Sequence, residues 1–343
     1  MGTAFALPLV GVAFAIAAPR ILARADWQER EPVVALWVWQ CAVAAVLLCF
    51  GLSLLVTAAA LCAPLRDRLF WIAPRGVQDS YDLTVGGAWR GVFAAVLVTA
   101  AVHVVLHLVR EAHIARISRR RRYHELRRAA PPLPYESRQR WRARRAERLL
   151  VMESPRPQAW SLPLPRRPLP LPRRPLQLVV STGAMRRLSQ EQLDAVLAHE
   201  RAHARARHHL LLQSAGALAT AFPGASLFTA YADHSARLVE LAADDAAAYR
   251  HGHLATALAL LDLNETRLGA SRSVPAAWAP GTPPPPPVEE VAARVDRLLT
   301  GAPRLRPLQR LNLTAVGLLM ILVPVLVTLA PGLGTLLTMG WRS

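Results

Sequence analysis

The segment AVLAHERAHARARHHLLLQ, residues 195–213, places His199 and His203 four residues apart, with Glu200 beside the first. On a helix, residues i and i+4 lie one turn apart on the same face, so both imidazoles can direct a nitrogen at one point. This is the His-Glu-x-x-His pattern, in which two histidines bind zinc and the glutamate serves as a general base. The spacing predicts one Zn²⁺ ion per chain and a hydrolytic reaction with Glu200 as the catalytic base.

A catalytic zinc site needs a third protein ligand and leaves one position open for water. Two residues compete for this role, His209 and Glu240. The first helix contains no glycine or proline before residue 216, and we expect it to continue to about that point. On such a helix the ring of His209 would face away from His203.

Glu240 lies in the segment RLVELAADDAAAYR, on a second predicted helix of roughly residues 225–250. The residues FPG at 222–224 interrupt the chain, so this helix can pack antiparallel to the first. We therefore expect Glu240 to be the third ligand. Asp244 follows one turn later on the same face, where it can accept the free N–H of a ligating histidine and fix its tautomer.

The elements around this pattern are mostly helical. Ser189 and Gln192 form the capping box that begins the first helix. The preceding segment LQLVVSTG predicts one short strand at 176–181, which could bind an extended substrate as an added strand. A short amphipathic helix, VEEVAARVDRLLT, follows a proline-rich run.

Uncharged stretches dominate the rest of the chain, at residues 1–19, 33–65, 91–109 and 312–341. A membrane crossing of about 30 Å needs ~20 apolar residues, so each stretch can form a transmembrane helix. The fold class is therefore mainly α: a polytopic membrane protein with a mostly helical, gluzincin-like zincin domain between spans three and four. The lipid bilayer is its first expected partner.

Charge predicts the orientation. Fourteen arginines and four glutamates lie between residues 110 and 148, directly after the third span. The positive-inside rule places this segment in the cytoplasm and the N-terminus outside, in a multi-pass membrane protein whose catalytic domain is cytoplasmic; the resemblance described below implies a bacterial plasma membrane. Dense arginine also suits nucleic acid, but a basic run beside a span favours lipid headgroups, and we expect no direct nucleic-acid partner.

The predicted organisation has five parts. The outer two are membrane segments, and the middle three form the cytoplasmic region. They are three transmembrane helices in 1–110 (about 2–19, 33–62 and 88–109), a basic and proline-rich linker at 111–175, the zinc metallopeptidase core at 176–271, a proline-rich loop with an amphipathic helix at 272–311, and the fourth span with a short tail at 312–343.

Histidines outside the motif receive structural interpretations. His103 and His107 repeat the i, i+4 spacing in the third span, near Arg110, and we interpret them as packing residues at the membrane interface. His208, His209 and His234 are expected at the surface or at the rim of the site.

The segments LDAVLAHERAHARARHH and LVELAADDAAAYR, preceded by LVVSTG, resemble the BlaR/MecR-type membrane zinc metallopeptidases. The resemblance is to short actinobacterial members without the penicillin-binding sensor domain. It implies zinc bound by His199, His203 and Glu240, Glu200 as the base, and Asp244 behind a ligand. It also implies a cytoplasmic protein substrate, a transcriptional repressor of the BlaI/MecI kind, cleaved in signal transduction.

Two other functions fit the same residues. One is an HtpX-like membrane protease that degrades misfolded proteins, and the other is a non-catalytic membrane scaffold with an idle site. The presence of Glu200 favours an enzyme over the scaffold, since an idle site needs no base. Assembly into a homo-oligomer is left open by the sequence.

Overall fold

The computed structural model describes residues 3–71, 73, 75–81, 88–129, 147–163, 176–268, 288–301 and 303–340. Within these ranges it contains three strands and thirteen helices, so the chain is mainly α, as predicted. The strands are β1 (Glu147–Met152), β2 (Ala159–Pro163) and β3 (Leu176–Ser181). The helices are α1 (Thr3–Leu22), α2 (Trp27–Arg30), α3 (Pro32–Leu61), α4 (Ala63–Leu69), α5 (Arg75–Asp79), α6 (Ala88–Ala129), α7 (Thr182–Arg187), α8 (Gln190–Arg205), α9 (His208–Ala221), α10 (Ser226–His251), α11 (His253–Leu268), α12 (Val288–Thr300) and α13 (Pro307–Gly340).

The chain divides into two compact units. The first unit contains residues 1–110, 214–236 and 305–343, and the second contains residues 111–213 and 237–304. Within the described ranges, four helical segments are long and apolar enough to cross a membrane: Thr3–Leu22, Pro32–Leu61, Gly91–Ser118 and Pro307–Thr338. These segments coincide with the four spans predicted from the sequence.

Helix α3 is the centre of the first unit, with α1 and α13 packed against it. Small residues allow the close contacts. A Cβ added at Gly11 would lie 3.0 Å from the Cβ of Cys49, and one added at Gly317 would lie 3.0 Å from Nε1 of Trp37. Glycine at such positions lets helix backbones approach closely, which is how helices associate in apolar surroundings.

A three-stranded sheet with the order β1-β3-β2 lies in the second unit. The central strand β3 pairs parallel with β1 and antiparallel with β2. Helix α8 packs against this sheet and against α11. The shared core buries Leu178 and Val180 of β3 with Leu193 and Leu197 of α8.

Two strands lie inside the segment 111–175, where the sequence predicted only a linker, so the folded unit begins before residue 176. The single-strand prediction missed them because β1 follows an arginine-rich run and β2 lies between proline-rich segments. The substrate role suggested for residues 176–181 is wrong as well. That segment is β3, whose two edges are both paired.

Helix α8 begins with the predicted capping box: Ser189 and Gln192 exchange side-chain-to-backbone hydrogen bonds. It ends at Arg205, well before residue 216. Arg207 has φ 55°, in the left-handed region that only a minority of non-glycine residues adopt, and this turn ends the helix. A separate helix, α9, begins at the next residue, His208.

Candidate metal centre and active site

Three side chains converge on one point in the second unit: His199 and His203 from α8, and Glu240 from α10. Their ligand atoms all lie within 4.8 Å of one another. The two Nε2 atoms are 3.0 Å apart. Glu240 places Oε2 3.5 Å from Nε2 of His199 and Oε1 3.3 Å from Nε2 of His203. The helical spacing thus brings both imidazoles to one point, and α10 supplies the carboxylate from the facing side.

These separations fit a zinc ion. With bonds of about 2.0–2.1 Å, tetrahedral coordination sets neighbouring ligand atoms about 3.3 Å apart. The three measured distances lie close to this value, and two imidazoles with one carboxylate are a donor set of catalytic zinc sites. His199, His203 and Glu240 can therefore hold one Zn²⁺ ion without rearrangement of the helices.

Asp244 lies one turn after Glu240 on α10, and its Oδ1 is 3.0 Å from Nδ1 of His199. The imidazole Nδ1–H donates to this carboxylate, which leaves Nε2 directed at the centre. The partner predicted for a ligating histidine is thus in hydrogen-bond contact with His199. Such a contact fixes the tautomer and raises the basicity of a metal-binding imidazole.

Arg294, on α12, contacts the carboxylates of both Asp244 and Glu240. This residue was not among those predicted from the sequence. Its Nε and Nη2 donate to the two carboxylate oxygens of Asp244 at 2.7 and 2.8 Å, and its Nη1 lies 3.0 Å from Oε2 of Glu240. The side chains of Arg294 and Asp244 are only 4% and 3% exposed. Two parallel hydrogen bonds from a guanidinium to a carboxylate fix the orientation of the carboxylate and compensate its charge. The one sequence signal was the apolar face of α12, which carries this arginine.

The charge of His199 influences the pKa values of the neighbouring groups in the centre. Burial opposes its protonation, but hydrogen bonds to Asp244 and Glu240 outweigh burial and raise the pKa of His199 to about 10. Burial and the neighbouring charge of His199 lower the pKa of His203 to about 3. Burial opposes the charge of Glu240, yet His199, His203 and Arg294 hold its pKa well below the usual range. Metal ions bind neutral imidazoles, so metal binding at His199 competes with its protonation.

Glu200 lies beside this centre on α8 and contacts β2. Burial raises the pKa of its carboxyl to about 7, although the charge of His199 and hydrogen bonds from the side chain and backbone of Ser161 oppose the shift. A carboxylate with a pKa near neutrality is suited to accept a proton and return it. Its position next to, and not among, the three converging ligands fits the base predicted from the motif.

Strand β2 presents Ser161 to the site through its outer edge. In the antiparallel pair of β2 and β3, Ser181 donates its backbone N–H to Gln158, and Ser161 lies opposite Leu178 three residues further on. Bonded and non-bonded positions alternate, so the backbone of Ser161 points away from β3, towards Glu200. None of the described strands pairs with this edge of β2.

We expect Glu200→Gln to stabilise the metal-free protein in a pH-dependent way. Below about pH 4.5 the carboxyl is protonated in both states. As pH rises towards 7, the unfolded chain releases its proton first, because the folded pKa is about 7 and the ordinary value 4.5, so folding loses stability. The uncharged variant therefore unfolds at a higher temperature than the wild type at pH 8 and at a similar one at pH 4.5.

Thermal unfolding with a chelator in detergent solution at the two pH values measures this difference. Glu191→Gln, an exposed position on α8, is the matched control and should have little effect at either pH. A Glu200→Gln protein less stable than the wild type at pH 8 would contradict the raised pKa of the Glu200 carboxyl in the folded protein.

His208 was expected at the surface or at the rim of the site; it is buried, with 6% of its surface exposed. Its Nδ1 lies 2.9 Å from Nδ1 of His203. This burial was not predicted because α8 was expected to continue, whereas the left-handed turn at Arg207 redirects the chain. His209 does not belong to the ligand cluster, as predicted. The prediction assumed a continuous helix on which its ring faces away, whereas the helix ends at Arg205.

Three further histidines lie in the first unit: His103, His107 and His234. The rings of His103 and His107 on α6 contact each other with centroids 4.5 Å apart and planes tilted by 52°, and Nε2 of His103 lies 2.9 Å from the carbonyl oxygen of Ala221. His234 is partly exposed and stacks on the buried Trp39, with ring centroids 5.0 Å apart. These contacts agree with packing roles.

Comparison with known proteins gives one match: residues 151–248 match the model of Peptidase family M48. No curated protein and no solved structure matches the chain. The matched residues include β2, β3, α8 and the part of α10 that contains Glu240 and Asp244. The segment that brings His199, Glu200, His203 and Glu240 together is thus similar to a family of metallopeptidases, Peptidase family M48.

Proposed function

We propose that this chain is a membrane-embedded, zinc-dependent endopeptidase that hydrolyses peptide bonds of a cytoplasmic protein. The convergence of two imidazoles and a carboxylate beside a partly buried glutamate with a pKa near 7 is the observation that supports it best. The match of residues 151–248 to Peptidase family M48 supports the same reaction.

The bound ion would supply positive charge that acidifies the attacking water and polarises the scissile carbonyl. His199, His203 and Glu240 would hold it, with Asp244 fixing the orientation of His199. Glu200 takes the proton of the water and later delivers it to the leaving amine. Burial keeps this carboxyl basic enough to accept a proton near neutral pH.

An extended substrate can be bound along β2. The outer edge of this strand lies at Glu200, so a peptide added as a further strand would bring its backbone to the base. Main-chain pairing binds a substrate with little demand on its sequence, and specificity then depends on the side-chain surroundings. This role replaces the one that the sequence analysis assigned to residues 176–181.

A transcriptional repressor of the BlaI/MecI kind is the substrate we propose, with cleavage serving signal transduction. The resemblance of residues 195–211 and 238–250 to BlaR/MecR-type peptidases supports this choice. The four apolar helices and the arginine-rich segment support a plasma membrane protein with its catalytic unit in the cytoplasm. The HtpX-like quality-control protease is the alternative with the same chemistry.

Comparative proteomics of cells that express the wild type or Glu200→Gln tests the function. The proposal predicts fragments of one cytoplasmic protein that disappear in the variant. Cleavage of casein and of many cellular proteins by the purified wild type would replace the regulatory role with quality control. A zinc-loaded wild type that cleaves nothing, and whose Glu200→Gln variant leaves cells unchanged, would overturn the enzyme in favour of a scaffold.

A further inference from the structure

The second imidazole of the motif has its own buried partner, at the start of α9. Arg207 adopts φ 55° between α8 and α9, and this turn brings His208 back against His203. The two rings meet edge to face, with centroids 4.9 Å apart and planes at 85°. Their Nδ1 atoms are 2.9 Å apart, which is hydrogen-bond distance.

The direction of this hydrogen bond follows from the other side of His203. Its Nε2 faces the centre, 3.0 Å from Nε2 of His199 and 3.3 Å from Oε1 of Glu240. An imidazole nitrogen that binds a metal has no proton, so the ring proton of a zinc-binding His203 lies on Nδ1. This N–H then donates to Nδ1 of His208, which must be the acceptor and keeps its own proton on Nε2.

We propose that His208 is a positioning residue that holds His203 in the tautomer and orientation required for zinc. This inference rests on the zinc site of the proposed function. The two ligating imidazoles would then be held by different chemistry: His199 by the carboxylate of Asp244, and His203 by a neutral ring. Removal of an outer partner typically lowers metal affinity by about 10–100-fold.

The left-handed turn is part of this arrangement. Arg207 has a conformation that is unfavourable for a residue with a Cβ, and a continuous helix would not place His208 beneath the ring of His203. The turn is stabilised by backbone hydrogen bonds from Arg207 to Ala204 and from Leu210 to Arg207. Local backbone strain of this kind persists where the surrounding structure determines it.

Zinc affinity of the purified full chain, measured by competition with a chromophoric chelator, tests the proposal without reference to peptidase activity. His208→Phe fills the space but provides no acceptor, and we expect affinity to fall by about 10–100-fold. His208→Asn places an amide oxygen near the position of Nδ1 and should restore most of the affinity. His208→Gln places its amide further out and should not.

His253→Ala, an exposed histidine at the start of α11, is the control and should bind zinc like the wild type. Wild-type affinity in His208→Phe, or equal affinities in the asparagine and glutamine variants, would overturn the positioning role. The asparagine and glutamine pair decides the question even if the phenylalanine variant does not fold. A wild type that binds zinc but hydrolyses nothing would overturn the proposed function alone, and one that binds no zinc would overturn both.

Discussion

Replacement of Glu240 by alanine is expected to weaken zinc binding by more than the roughly 100-fold that loss of an outer partner can cause. Two imidazoles remain, and a catalytic zinc site needs three protein ligands. Arg294 keeps its fork on Asp244 in this variant, so the fold around the site should persist. Peptide hydrolysis should fall with the bound zinc. Chelator competition on the purified protein measures the change.

Asp233→Ala is the matched control, because Asp233 is an exposed carboxylate on the same helix, α10, away from the ligand cluster. It should leave zinc affinity unchanged. A Glu240→Ala protein that binds zinc as tightly as the wild type would show that the third ligand lies elsewhere.

Arg294→Ala is expected to cause the largest loss of stability, about 3–5 kcal/mol, because it leaves a buried carboxylate without its partner. Asp244 is 3% exposed and would keep only His199, and Glu240 would lose its contact with Nη1. Urea unfolding of the metal-free protein in detergent solution measures the change in free energy of unfolding.

Arg297→Ala is an internal control for this prediction. Arg297 also forms a fork, with Asp245, between the same two helices, α12 and α10. Its side chain is 12% exposed and that of Asp245 is 24% exposed, so water can replace the lost contact more easily. We expect a loss of about 1 kcal/mol there. Equal losses in the two variants would contradict the argument that burial makes the Arg294 network important.

The helical parts of the site could be predicted because periodicity along one helix determines which residues share a face. His199 and His203 on α8, and Glu240 and Asp244 on α10, each occupy adjacent turns, and local rules place them correctly. The capping box and the break at residues 222–224 similarly depend on nearby residues alone. The four apolar helices follow from length and composition.

Features that depend on distant contacts or on unusual backbone could not be predicted. Arg294 is separated from Asp244 by fifty positions, and the apolar face of α12 that carries it does not indicate which carboxylates it contacts. The left-handed conformation of Arg207 has no local signal, since neither glycine nor asparagine occupies the turn. The burial of His208 against His203 was therefore not predicted.

Strands β1 and β2 were missed for a similar reason. Each is five or six residues long and is flanked by arginine or proline, so its local composition resembles a linker. Pairing with β3 stabilises both strands, and such pairing is not visible from the residues of one strand. Because β1 and β2 were missed, residues 176–181 were expected to bind the substrate as an edge strand, whereas β3 is the central strand.

The central claim is that two imidazoles and the Glu240 carboxylate hold one zinc ion beside Glu200. X-ray absorption at the zinc edge, combined with metal quantification of the purified full chain, tests it most directly. We predict one zinc per wild-type chain, with nitrogen and oxygen neighbours at about 2.0–2.2 Å and no sulfur neighbour, and less than stoichiometric zinc in Glu240→Ala at the same zinc concentration. A wild-type chain without stoichiometric zinc, or a Glu240→Ala chain that retains it, would contradict the account.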